Sequence, residues 1–418
     1  MIIEGTVAPG FESVKTLYEK NMYRWAERNT QLCVYVGDEC VVDLWGSTTH
    51  DPNFSADSLI NVFSSGKSLE AITLAMLVER GLVSYDSAIA DYWPEYGQNG
   101  KASTTVADLM RHEAGLASFD VTIAAEDLWP EALKRNAIGR VIESQTPLFR
   151  PGIDQQREYH AVTRGWIVNE LFRRVEPNGR TMGEFLREEI SQQLGADVYI
   201  GLQDEELSRV NPVHLLGPGY QLGQSVIPNF LGRRMELNLA QMLAKIWRLR
   251  GAMTNRTRSR PPTPISGMNQ LGAFNSAAYC KGETPSAGAK CSARGLAKLA
   301  AVMANGGSLG DVQIMQAETH TALHGAPVPR SMIAMETTFT QGGVATFRPT
   351  NMGDAPLLRG LNAGREGFYG WMGLGGSIFQ WHPEKKIGFG YAPTSLNVLD
   401  VVNERGKAYQ AEVVRCLA

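Results

Sequence analysis

The sequence predicts an α+β protein in which both ends of the chain build one antiparallel sheet and a mostly helical lobe is inserted between them. Three observations carry this expectation: a helix and a hairpin open the chain, a hairpin and a helix close it, and the middle is mostly helical in its periodicity. The sheet lobe is assigned to residues 1–85 and 284–418, and the helical lobe to 86–283. A chain of 418 residues is long enough to bury the core of two such lobes.

Between Phe11 and Arg28, Val14, Leu17, Tyr18, Met22 and Trp25 recur at helical spacing and give one apolar face. Leu32 to Val36 and Cys40 to Trp45 are rich in strand formers and are joined by Gly37-Asp38-Glu39, the pattern of a hairpin. A nearly all-apolar helix then runs through Ile72, Leu74, Met76, Leu77 and Val78 until Gly81 ends it. Asp91 to Tyr96 is an irregular aromatic segment, and Thr105 to Asp108 is a capping box that starts a short helix. Residues 124–202 are mostly helical, with a second capping box at Thr181 to Glu184 and a stop at Gly195.

Residues 212–285 are loop-rich around one helix near 237–249, and Arg256 to Pro262 reads as a solvated loop. Cys291 to Asn305 is amphipathic and is closed off by Gly306-Gly307-Ser308-Leu309-Gly310. An irregular region follows. Gly376 to Trp381 and Ile387 to Tyr391 then flank the turn at His382 to Lys386 as a second hairpin, and a last helix spans 399–416. No internal repeat occurs.

Lys and Arg number 40 against 43 Asp and Glu, a balance that speaks against nucleic acid or an anionic membrane as partner. A small molecule is the expected partner, and the sequence leaves a homodimer open. Five cysteines, Cys33, Cys40, Cys280, Cys291 and Cys416, lie scattered without metal-ligand spacing, so no metal is expected. They read as reduced thiols of a cytoplasmic protein, although Cys33 and Cys40 can face each other across the first hairpin. The first residues have no basic or apolar signal, and no run is long enough to span a bilayer.

The chemistry centres on Asn61 to Ala71, where Ser64 and Lys67 stand three residues apart at the head of the apolar helix. On a helix they share a face, so an amine can reach the hydroxyl. A serine needs a base, and a lysine serves as one only where burial or nearby positive charge lowers its pKa. An N-cap serine is the plainer reading of Ser64. A phosphate loop is set aside because Asn61 stands where that loop needs its first glycine. Tyr159, at the head of another apolar helix, is the candidate proton shuttle, on the argument that a nearby ammonium pulls a phenol pKa down. His160 is a rival base without a carboxylate partner. His112-Glu113 is not a zinc helix because Leu116 replaces the second histidine, and His112 reads as structural. Tyr369 to Ser377 is glycine-rich, so its backbone can approach a substrate and offer an N–H for an oxyanion hole with that of Ser64.

These elements, in this order, resemble the serine β-lactamase and penicillin-binding-protein superfamily, in particular the class C-like branch that includes family VIII carboxylesterases. The resemblance extends over nearly the whole chain, through Val41 to Gly46, Asp91 to Pro94, Arg111 to Leu116, Tyr159-His160-Ala161 with Gly165-Trp166, and Gly375 to Tyr391. It implies a β-lactamase/DD-peptidase-like fold with the active site between the lobes. It implies Ser64 as acylated nucleophile, Lys67 as its activator and Tyr159 as shuttle, and the N–H groups of Ser64 and Leu374 as oxyanion hole. No metal or cofactor is implied. Trp371-Met372-Gly373 sits where lactamases carry Lys-Thr-Gly, and Ala161 replaces their asparagine.

Losing a cation opposite a β-lactam carboxylate removes a contact worth about 1.5–3 kcal/mol, so little penicillin hydrolysis is expected. An aromatic lining of Trp371, Tyr369 and Phe119 beside Gly373 favours short acyl or aryl esters instead. The expectation is therefore a serine carboxylesterase. An acyltransferase using the same acyl-enzyme, a D-amino-acid peptidase and a non-catalytic scaffold are the alternatives.

Overall fold

Among the described residues nine strands form one antiparallel sheet whose two faces are covered by different helices. A computed structural model of the chain describes residues 1–235, 237–244, 261–268, 271–332, 335–400 and 402–418. In chain order the elements that position the site are β1 (Ile2–Val7), α1 (Glu12–Arg24), β2 (Asn29–Val36), β3 (Glu39–Ser47), α2 (Gly66–Glu79) and α3 (Thr163–Val175). They continue with α4 (Ala293–Ala304), β4 (Val328–Met332), β5 (Met335–Phe339), β6 (Ala345–Thr346), β7 (Tyr369–Met372), β8 (Ile378–His382), β9 (Ile387–Pro393) and α5 (Glu404–Cys416). Among the described residues the sheet order is β1-β3-β2-β9-β8-β7-β6-β5-β4, so the first and last hairpins meet at the β2–β9 pair.

Strand β9 shows why the sheet sits between two helical layers. Ile387, Phe389 and Tyr391 point to one face and are fully buried with Val14, Tyr18 and Met22 of α1 and Tyr409 and Val413 of α5. Each such side chain contributes about 1.5–3 kcal/mol of burial. The alternate positions, Gly388 and Gly390, leave no side chain on the other face, and α4 lies directly on them. A methyl group at Gly390 would stand 2.4 Å from the carbonyl oxygen of Ala293.

The sheet is wider than two hairpins supply. β1 pairs with β3, and β4 to β7 occupy a stretch that the sequence presents as irregular. Pro329, Arg330 and the threonines of β5 interrupt the apolar alternation there, so pairing with neighbouring strands rather than local pattern makes these segments extended. The closing helix begins at Glu404 rather than near 399, because Asn403 adopts a left-handed conformation at φ 53°.

Both capping boxes form, at Thr105 with Asp108 and at Thr181 with Glu184, and Gly195 ends its helix in the left-handed region at φ 55°. Of the helix expected over 237–249, residues 239–244 are helical. The rest of it, and residues 256–260 of the expected loop, lie outside the described residues. α2 is buried from Gly66 through Leu77, as expected of a helix apolar on all sides. Among the described residues no helix is long and apolar enough to cross a membrane.

Candidate active site

The chain enters α2 through a short 3-10 turn at Phe63–Ser65, and Phe63 is held at φ 47°. Positive φ in a bulky residue costs of order 1–3 kcal/mol and persists only where packing over-determines it. Here the Phe63 ring meets Phe274 edge-on at 4.9 Å. The turn puts Ser64 on the wall of a cavity of 330 Å³.

One turn further, Lys67 is 1 % exposed and its Nζ lies 3.5 Å from Ser64 Oγ. The same nitrogen donates to the carbonyl oxygens of Ala161 at 2.8 Å and Ser286 at 3.0 Å. Burial holds the Lys67 pKa well below the usual lysine range, the Arg164 charge lowers it further, and Glu70 opposes both. A neutral amine has two hydrogens and one lone pair. With the hydrogens engaged by two carbonyls, the lone pair is left for the serine hydroxyl.

Tyr159 and Ser64 share one cavity wall, close enough for the serine hydroxyl to act on the phenol pKa, and the Tyr159 hydroxyl accepts from Trp371 Nε1 at 3.1 Å. The expected lowering of its pKa by the lysine is reversed. Burial raises it, outweighing the lowering by Ser64 and Trp371. Lys67 Nζ lies over the ring, 4.7 Å from its centroid, and a lysine pushed towards neutrality is a weak source of positive field. Tyr159 is thus a neutral phenol at rest.

His160 does not reach the serine. Its Nδ1 faces the carbonyl of Glu158 at 2.6 Å and its Nε2 accepts from Leu116 N at 3.1 Å. His112 likewise accepts from His160 N at 3.1 Å and is fully buried. Burial pushes both imidazoles below their ordinary pKa, His160 to about 3.

Ser64, Tyr159, Trp371, Gly373 and Leu374 line the same cavity, whose wall is otherwise mostly apolar, with Met268, Met332, Met335 and Met372. Phe119 stands apart from it, in an adjoining cavity of 440 Å³ that shares Tyr159 and Ala161, where its ring packs 5.8 Å from Trp166. Tyr369 lines neither cavity. Gly370, at φ 105°, breaks the strand's alternation, and the Tyr369 ring turns edge-on to His324 at 4.6 Å while Trp371 packs against Phe339 at 5.2 Å.

Sequence reasoning missed two groups that hold this geometry. Ser377 Oγ donates to the Val62 carbonyl at 2.6 Å and bonds to Ser65 Oγ at 3.1 Å, and Asn403 Nδ2 donates to the carbonyls of Gly373 at 3.0 Å and Ser377 at 2.8 Å. Together they staple the turn carrying Leu374 to the turn carrying Ser64. The second group is the fully buried ion pair of Glu70 and Arg164 at 2.7 Å. A charge inside an otherwise apolar helix was its signal. Among the described residues no cluster of three or more His, Cys, Asp or Glu is positioned to hold a metal ion.

Fold and site together define a class of α+β proteins that present a serine, one turn from a buried lysine, at the head of a central helix. The chain belongs to the Beta-lactamase family, whose sequence model matches residues 23–412. It is 28% identical over 374 residues to "Esterase/beta-lactamase LipL" of Mycobacterium tuberculosis (strain ATCC 25618 / H37Rv), covering 86% of this chain and 75% of that protein. Among solved structures it is similar to a family VIII carboxylesterase with a TM-score of 0.76 at 25% identity, over 100% of both chains. A penicillin-binding protein homolog from Caulobacter crescentus superposes with a TM-score of 0.75, again at 25% identity and 100% of both chains.

Proposed function

We propose that the protein is a serine hydrolase that cleaves carboxylic esters of short acyl or aryl type through an acyl-enzyme on Ser64. The observation that carries this reading is the Lys67 amine, buried, bonded to two carbonyls and 3.5 Å from Ser64 Oγ. Lys67 takes the hydroxyl proton as Ser64 attacks the ester carbonyl. The N–H groups of Ser64 and Leu374 receive the developing oxyanion. Tyr159, kept protonated by burial, gives its proton to the departing alkoxide and regains one from the Lys67 ammonium. Water then attacks the acyl-enzyme by the reverse relay.

The similarity to a family VIII carboxylesterase and to the esterase/beta-lactamase relative supports an ester as substrate. The mostly apolar cavity, with Trp371 where lactamases of the resembled family carry a lysine, supports weak binding of a β-lactam carboxylate. The test is turnover of p-nitrophenyl acetate and butyrate beside nitrocefin by wild type and Ser64→Ala. Ester cleavage lost in the variant, with little nitrocefin turnover in either protein, is the expected result. Ester cleavage that survives Ser64→Ala overturns the reading.

A further inference from the structure

Glu70 and Arg164 have side chains with 0% exposure. A buried ion pair is weak evidence for stability, because well-packed apolar residues of similar volume often do as well or better. The partners of this pair point to a different use. Arg164 Nε donates to Glu70 Oε1 at 2.7 Å and its Nη2 donates to the backbone carbonyl of Lys67 at 3.1 Å. Its Nη1 donates to the Met110 carbonyl at 2.8 Å. The other carboxylate oxygen of Glu70 accepts from Ser286 Oγ at 2.7 Å, and the Ser286 carbonyl accepts from Lys67 Nζ at 3.0 Å. The bonds close a ring that starts at the amine of Lys67 and ends at its own backbone.

The segment carrying Ser286 reaches this position because two helices give way to it. A methyl at Gly165 of α3 would stand 2.6 Å from Ser286 N, and one at Gly66 of α2 would stand 2.5 Å from the Pro285 carbonyl oxygen. Real side-chain carbons do not approach so closely, so 285–286 can thread between α2 and α3 only with glycine at both places.

We propose that Glu70, Arg164 and Ser286 are positioning residues that hold the Lys67 amine against Ser64 and set the balance of charge around it. The proposal rests on the reading of Lys67 as the base of Ser64. The groups facing the amine are Glu70 on α2, Arg164 on α3, Tyr159 and His160 ahead of α3, and His112. Burial raises the Tyr159 pKa and lowers those of both histidines, so all three are neutral and the two formal charges are those of the pair. They act on Lys67 with opposite signs.

The experiment is the pH profile of kcat/KM for p-nitrophenyl butyrate in wild type, Ser64→Ala, Glu70→Gln, Arg164→Gln and Ser286→Ala, each checked for native circular dichroism. Lys67 works as a base only when neutral, so the acid limb follows its pKa. Glu70→Gln removes the charge that raises that pKa and is expected to move the limb to lower pH by about half a unit or more. Arg164→Gln is expected to move it to higher pH. Ser286→Ala removes no charge, and is expected to lower kcat between about tenfold and a hundredfold with KM little changed. If a charge variant does not fold, Ser286→Ala decides alone. Folded variants with unchanged kcat and an unmoved limb overturn the proposal, whereas turnover surviving Ser64→Ala overturns the hydrolase reading beneath it.

Discussion

Replacing Tyr159 by phenylalanine removes one oxygen atom and separates a structural role from a chemical one. The ring keeps its volume and its place 6.3 Å from the Trp371 ring, so no cavity opens. What is lost is the acceptor for Trp371 Nε1 at 3.1 Å and the polar contact through which Ser64 lowers the phenol pKa. Trp371 is partly exposed, so water replaces the lost acceptor and the stability cost falls at the low end of the range, about 1 kcal/mol. For 418 residues the unfolding entropy makes this a Tm shift of about 1 °C. The chemical loss is of another order. A general acid contributes about 10²–10⁴ in rate, equivalent to about 3–5 kcal/mol of barrier.

The leaving group tells the two roles apart. A p-nitrophenolate departs without much help from an acid, whereas the alkoxide of an alkyl ester does not. Tyr159→Phe is therefore expected to lose far more kcat on ethyl butyrate, followed by pH-stat, than on p-nitrophenyl butyrate, followed by absorbance. Equal losses on both esters, or kcat within a factor of about three of wild type on ethyl butyrate, would refute the shuttle role and leave Tyr159 as a packing residue.

Two further outcomes are expected. His324 accepts from Trp381 Nε1 at 2.9 Å and is lowered by burial from 6.5 to about 4. The unfolded chain then binds this proton first as pH falls, so the stability held by the neutral ring is present above 6.5 and lost as pH drops towards 4, a loss of about 3 kcal/mol. Urea unfolding at pH 7 and pH 5 reads about 2 kcal/mol of it, and a His324→Gln variant should show a smaller difference between the two; an equal difference would sink the assignment. Separately, Cys33 and Cys40 Sγ stand 3.7 Å apart, and the hydrogen bond from Cys33 lowers the Cys40 pKa while Cys33 is held high. Iodoacetamide read by mass spectrometry should alkylate exposed Cys40 before buried Cys280 and Cys291, and Cys33→Ala should slow that labelling. Faster labelling of Cys40 in the variant would contradict the hydrogen bond.

Local chemistry was enough to place the serine about one turn from the lysine at the head of a buried helix, to start helices at Thr105 and Thr181, and to turn each of the two hairpins. Each of these depends on residues within a turn of one another, where spacing dictates contact. The same reading left Tyr369 among the lining aromatics and passed over β4 to β6, because which face a side chain takes depends on Gly370 and on strands paired from elsewhere in the chain. The state of the site was likewise beyond local reach. Whether Lys67 and Tyr159 hold protons follows from burial and from Arg164, 97 positions along the chain from Lys67, and from the Ser286 carbonyl, 219 positions away. Sequence determined which groups can react; the fold, by excluding water and bringing distant charges and carbonyls to one amine, decided which of them carries the proton.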